Sequence, residues 1–217
     1  MTDRTPPAPL ARRLAVLFGV ALLLVVADQL TKQWAMDALS RPRTGRAAPA
    51  CTESHVLSRF RKDPIVLVRG HVSFEYTENC GGAFGLLGRT SESLRYPFFI
   101  GVSIIAIAFI VSVYRKLEPH QRLLGWALPL VLGGALGNFY DRIVYRYVVD
   151  FIKLQLDEDL VWPTFNVADA AITVGVVLMA LDMFPRRRAA PSPSDVAAPA
   201  TPAADPPEEA GKPGDGP

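Results

Sequence analysis

An α-helical membrane protein with four transmembrane helices and a small extracytoplasmic β element is the fold this sequence predicts, on three observations. Hydrophobic residues make up 50% of the 217, and the mean hydropathy is +0.21, too apolar for a typical soluble domain in which 20% of residues are charged. The apolar residues fall in four blocks: Leu14 to Ala27, Pro97 to Tyr114, Leu123 to Tyr140 and Val167 to Leu181. Between the first two blocks, Val72, Phe74 and Tyr76 alternate with Ser73, Glu75 and Thr77, the period of a strand. A crossing needs about 20 mainly apolar residues, so the first, third and fourth blocks span only if their polar ends are included.

Residues 1–10 are polar and Pro-rich and are expected to be disordered. The first helix is expected over about 12–34. Arg12 and Arg13 before an apolar run also suit a secretory signal peptide. No small-residue cleavage site follows, and DQLTKQWAM keeps helical spacing, which favours a retained helix. Asp28 and Lys32 stand one turn apart near its end; on a soluble helix such a pair is a solvated salt bridge. An acid directly after a long apolar block is instead expected to face the bundle interior.

The extracytoplasmic loop is expected over 35–95. Its part from Arg41 to Lys62 has no clean period and reads as loop, whereas IVLV from Ile65 and the alternation after Val72 read as strands. Two or three strands alone are marginally stable, so their apolar side must be covered by lipid, helices or a ligand. Cys51 and Cys80 both lie in this loop, where an oxidising location permits a disulfide; a bridge and two free thiols remain equally open. NCGGAFG at 79–85 reads first as a glycine turn closing the sheet. The alternative is a close backbone approach to a substrate at Gly81 and Gly82, with Asn79 supplying amide donors.

The second helix, about 96–114, is apolar all round. The third, about 122–143, carries Gly133 and Gly137 at the GxxxG spacing that lets helices pack closely, which brings Asn138, Asp141 and Arg142 against their neighbours. The fourth is expected over about 165–184, completing a membrane domain of residues 11–184. The Ala-, Pro- and Gly-rich segment 185–217 cannot bury enough apolar surface to order and is expected to be a disordered cytoplasmic tail.

Basic residues cluster before the first helix (Arg4, Arg12, Arg13), between the second and third (Arg115, Lys116, Arg122) and after the fourth (Arg186 to Arg188). The positive-inside rule makes these segments and both termini cytoplasmic; the 35–95 loop is also basic, at a length where the rule loses force. Asp28, Asn138 to Arg142, Asp150 and Asn166 to Asp169 then converge at one membrane level, near the outer face. Two neighbouring carboxylates can share a proton, one activating water and the other hydrogen-bonding a carbonyl oxygen. Asp150, flanked by Val148, Val149, Phe151 and Ile152, sits where ionisation is disfavoured; Asp169 follows Asn166 by one turn in an apolar block. This selects Asp150 with Asp169 and leaves Asp141 to orient the adjacent Arg142. No His or Cys cluster has ligand spacing, so neither a metal nor another cofactor is expected, and no nucleic-acid partner. An ion-coupled transporter would also use intramembrane acids, but it would be expected to show inverted repeats and midplane acids. A structural subunit needs no paired acids at all.

Five motifs, DQLTK at 28–32, NxGxAFG at 79–85, GGALGNFYDR at 133–142, VVDF at 148–151 and FNVAD at 165–169, together resemble the lipoprotein signal peptidase (signal peptidase II) family. The resemblance runs from about residue 14 to 184. It implies an aspartyl endopeptidase of the bacterial inner membrane that removes signal peptides from prolipoproteins by cutting before a diacylglyceryl-modified Cys. Membrane lipids and the cyclic-peptide inhibitor globomycin are implied as further partners. It implies Asp150 and Asp169 as catalytic residues, with Asp28, Lys32, Asn79, Gly134, Asn138, Arg142, Asn166 and Ala168 supporting them or contacting substrate, beside Asp141. Two departures stand out: the segment from about Arg41 to Lys62 is longer than usual, and Cys80 and Gly82 depart from the common glycine motif.

Overall fold

The computed structural model describes residues 9–42, 59–81, 87, 90–118, 120–157 and 160–184. In chain order they form α1 (Leu10–Leu39), β1 (Ser40–Pro42), β2 (Arg59–Arg61), β3 (Ile65–Val68), β4 (Val72–Asn79), α2 (Glu92–Arg115), α3 (Arg122–Tyr145), β5 (Val148–Leu154) and α4 (Val167–Met183). Helices α1, α2 and α3 are long and apolar enough to cross a membrane, and α4 has 17 residues. The compact unit ends at Phe184. The segments 1–8 and 185–217, expected to be disordered, lie outside the described residues, and Leu10 already opens α1.

Helix α1 runs past its expected end at Trp34 because its last turn is held by protein. Ala35, Met36 and Leu39 are buried in one apolar cluster with Tyr76, Tyr147, Val149 and Phe151. Ser40 then turns extended, and the Met36 carbonyl accepts from Ser40 Oγ at 2.6 Å and from Arg59 Nη2 at 3.0 Å, satisfying an orphan group of the helix end. That contact accompanies β1 pairing antiparallel with β2, which corrects the reading of both ends of 41–62 as loop; 43–58 lie outside the described residues. A second apolar cluster joins the other end of α1 (Leu17, Ala21) to α2 (Ile110, Tyr114) and α3 (Leu128, Leu132).

Helix α2 starts at Glu92, before the expected position near 96, and passes through Pro97. The proline removes one helix N–H without ending the helix. Helix α3 ends at Arg146, the one described non-Gly residue with positive φ (69°), whose N–H bonds the Arg142 carbonyl at 3.2 Å.

Strands β3, β4 and β5 form an antiparallel sheet in that order. The strand reading of 65–79 is met, but VVDF is not merely an outer connection: it is the core of β5. Val148 to Phe151 are buried on both faces, so the alternation that marks a half-buried strand is missing. The register places Thr77 opposite Asp150 and Asn79 opposite Val148.

Candidate active site

The polar side chains here come together from five elements: α1, β4, α3, β5 and the start of α4. Asp150 projects from β5 and is 1% exposed. Its Oδ2 accepts from Asn79 Nδ2 at 2.9 Å and its Oδ1 from Asn166 Nδ2 at 2.6 Å. Burial first, then the charge of Asp169, push the Asp150 carboxyl up to about 7, against the lowering effect of the two amide donors and of Lys32.

Asp169 occupies the first turn of α4. Asn166 caps this helix: its Oδ1 accepts from the Asp169 N–H at 2.9 Å, and Asp169 Oδ2 accepts from the Asn166 N–H at 3.3 Å, a reciprocal capping box. The remaining oxygen, Oδ1, accepts from Asn138 Nδ2 at 2.8 Å. Asn138 Oδ1 in turn accepts from Lys32 Nζ at 3.0 Å and from Asn166 Nδ2 at 3.2 Å. Asp150 and Asp169 thus share Asn166, one through its side-chain amide and the other through its cap.

Beneath them, Lys32 is buried between Asp28 Oδ2 at 2.8 Å and Asp141 Oδ2 at 2.9 Å. With Asn138 these acceptors use all three ammonium protons. The expectation that Asp28 faces the interior is therefore met, and Lys32 is buried with it. Asp28 Oδ1 accepts from the Ala168 N–H at 2.9 Å, next to Asp169, and Asp141 Oδ2 accepts from the Val149 N–H at 3.0 Å, next to Asp150. Asp141 does not orient Arg142 as expected. Arg142 Nη1 donates instead to the Asn138 carbonyl at 3.0 Å, with its guanidinium 4.7 Å from the Phe99 ring centre.

Close helix packing makes this possible. A Cβ on Gly134 would overlap the Ala168 carbonyl oxygen, and one on Gly137 would stand 2.6 Å from Asp28 Oδ2. Gly133, the other end of the GxxxG spacing, meets Leu24 and Ala21 of α1.

A cavity of about 770 Å³ opens onto both carboxylates. Asn79, Asn138, Arg142, Asp150 and Asp169 supply its polar wall; Val148, Trp162, Pro163, Phe165 and Ile172 supply an apolar one. Asn79, which read first as a turn residue, ends β4 with its amide on Asp150. Cys80 beside it is disulfide-bonded, while Cys51 lies outside the described residues. Among the described residues, no group of three or more His, Cys, Asp or Glu could hold a metal ion.

Sequence reasoning missed Gln29, whose Nε2 lies 2.8 Å from Asp141 Oδ1 and 3.1 Å from Asp28 Oδ2, and it missed Trp162 and Phe165 on the cavity wall. Gln29 stands inside DQLTK, and its place in that motif was the available signal. Chemically, the arrangement presents two adjacent carboxyl groups, one buried and readily protonated, to a partly apolar cavity.

Residues 20–185 match the family model described as Signal peptidase (SPase) II. A lipoprotein signal peptidase of Anaeromyxobacter sp. (strain Fw109-5) is 44% identical over 178 residues, covering 77% of this chain and 82% of the relative. One of Pseudomonas putida (strain KT2440) is 36% identical over 183 residues, covering 84% and 94%. Two solved structures, each described as a bacterial membrane enzyme obtained by the in meso method, are also similar. One has a TM-score of 0.57 at 26% identity, covering 77% of this chain and 86% of its own. The other has a TM-score of 0.56 at 27% identity, covering 77% and 91%.

Proposed function

The chain belongs to the signal peptidase II family, and from that premise we propose that Asp150 and Asp169 are the carboxylates with which it removes the signal peptide from prolipoproteins. It is an aspartic endopeptidase of a bacterial membrane. The observation that carries the residue assignment is the sharing of Asn166: its amide holds Asp150 while its cap holds Asp169, both on one cavity.

In the proposed reaction the buried Asp150 carries the proton and hydrogen-bonds the scissile carbonyl oxygen. Asp169 takes a proton from water as that water attacks the carbonyl carbon, Asp150 gives its own proton to the carbonyl oxygen, and a tetrahedral diol forms. In its collapse Asp169 gives its proton to the departing amine while a diol hydroxyl returns a proton to Asp150, which restores the pair for another turnover. Asn79 holds Asp150 Oδ2 and Asn138 holds Asp169 Oδ1, and Arg142 faces the cavity as a donor to substrate oxygens. The apolar wall formed by Trp162, Phe165 and Ile172 suits an apolar substrate that carries its diacylglyceryl group on the cysteine directly after the cut. A globomycin-type cyclic peptide would occupy the same cavity.

We further propose that α4 is a fourth crossing, being about 26 Å long at 17 residues, within the range of short transmembrane helices. Residues 11–184 then form the membrane domain, with both termini cytoplasmic and the cavity near the outer face, an orientation that the basic clusters at Arg12, Arg115 and Arg186 support. Labelling of reduced Cys80 by an impermeant maleimide from outside intact cells tests this orientation; labelling only after lysis would reverse it.

The assignment is tested with purified protein in detergent and a lipidated prolipoprotein scored by gel shift. Asp150→Asn and Asp169→Asn should each abolish cleavage while remaining folded. Full cleavage by either variant would remove it from the pair.

A further inference from the structure

Asp28 and Asp141 have parallel tasks. One oxygen of each is bound to Lys32, and one oxygen of each accepts the backbone N–H directly before Asp169 or Asp150. The two acids are thus the anchors of the two backbone segments on which Asp150 and Asp169 are mounted, and what fixes the anchors to one another fixes the spacing of those segments. Lys32 is one such tie. The second is Gln29: its Nε2 is 2.8 Å from Asp141 Oδ1, 3.1 Å from Asp28 Oδ2 and 3.3 Å from the Gly137 carbonyl oxygen. An amide nitrogen has two protons, so the two carboxylates take them at the shorter distances and the carbonyl shares. The amide thus supplies both carboxyl groups with a donor beyond those of Lys32.

We infer that Gln29 is a positioning residue: its side-chain amide braces Asp28 against Asp141 and so holds Asp150 and Asp169 at their working separation. This inference rests on the reading of Asp150 and Asp169 as the reacting pair. Among the described residues, the titratable groups that the Gln29 amide bonds are Asp28 of its own helix and Asp141 of α3, and both of these also hold Lys32.

Two variants test it in the prolipoprotein assay, with thermal unfolding in detergent measured in parallel. Gln29→Leu removes both donors; kcat should fall about tenfold or more, the scale of a hydrogen bond to a charged group, with KM within about twofold of wild type. Gln29→Glu is the decisive variant. Protonated at low pH, its carboxyl still donates to Asp141; deprotonated, it has no proton to donate and adds a negative charge beside Asp28 and Asp141. Its rate relative to wild type should therefore fall as pH rises. A role in helix packing alone would not tilt the pH profile. Wild-type kcat in Gln29→Leu, or a Gln29→Glu profile parallel to wild type, overturns the inference. If the Leu variant does not fold, the Glu profile decides. Asp150→Asn and Asp169→Asn run alongside: cleavage by either defeats the assignment of the pair, whereas two dead variants with an unaltered Gln29→Glu profile defeat the role of Gln29 only.

Discussion

Asn166 Nδ2 lies 2.6 Å from Asp150 Oδ1 while Asn166 Oδ1 caps α4 by accepting the Asp169 N–H, so one side chain serves both carboxyl groups with opposite ends. The two tasks are separable. Asn166→Asp keeps an oxygen for the cap but replaces the donor to Asp150 with a further carboxylate. Helix α4 should stay intact by circular dichroism, while kcat falls about a hundredfold, the scale of losing one donor at a reacting centre. A variant with normal turnover would show that the Asn166 amide does not govern Asp150.

Protonation of Asp150 sets the pH dependence. Its carboxyl is raised from 3.8 to about 7, first by burial and then by Asp169. Because the folded state binds this proton more tightly than the unfolded chain, the associated stability is full below the unfolded value near 4 and is lost as pH rises through about 7. The linked loss is at most about 4 kcal/mol. Cleavage should decline over the same upper limb, since the proposed reaction needs the protonated acid. Asp150→Asn should be inactive, yet above pH 7 it should unfold at a higher temperature than wild type. A rate still climbing at pH 9 would contradict the role given to Asp150.

Thr77 stands across from Asp150 in the sheet, and its Oγ1 is buried without a hydrogen-bond partner among the described residues. An unsatisfied buried hydroxyl costs roughly 1–3 kcal/mol, and valine has the same shape without it. Thr77→Val should therefore raise the unfolding temperature in detergent by a few degrees, whereas Thr77→Ala should not. A lower unfolding temperature for the valine variant would mean that the hydroxyl is satisfied in the membrane-bound protein.

Helices α1 to α3 were legible because an apolar run long enough to cross a bilayer is a property of the chain itself. Asp150, Asp169 and Asn166 could be read as one cluster because polar residues flanked by apolar ones need partners. Strand β5 was not, since burial of both faces of Val148 to Phe151 erases the alternation that marks a strand. The pairing of Asp141 with Arg142 failed because adjacent residues on a helix do not face each other. Asp141 turns instead to Lys32 and Gln29 of α1, and Gln29 is 112 residues away in sequence. Strands β1 and β2, three residues each, are too short to show any period.

Gly137 and Gly101 offer a paired test of how tightly the site is built. A methyl group on Gly137 would lie 3.2 Å from Asp28 Cγ and 2.6 Å from Asp28 Oδ2, the latter closer than real Cβ atoms approach. Asp28 cannot retreat freely, because it is held by Lys32 at 2.8 Å and by the Ala168 N–H at 2.9 Å. Gly137→Ala must therefore either part α1 from α3 or break the anchor beside Asp169. The expected cost is about 1–3 kcal/mol, the range for overpacking a core, together with a loss of cleavage larger than that destabilisation explains. Gly101, on α2, has nothing within 4 Å of an added Cβ. Gly101→Ala should be neutral or stabilising by up to about 1 kcal/mol through helix propensity, with unchanged turnover. Equal behaviour of the two variants in unfolding and cleavage would mean that contact between α3 and Asp28 does not set the geometry of the site.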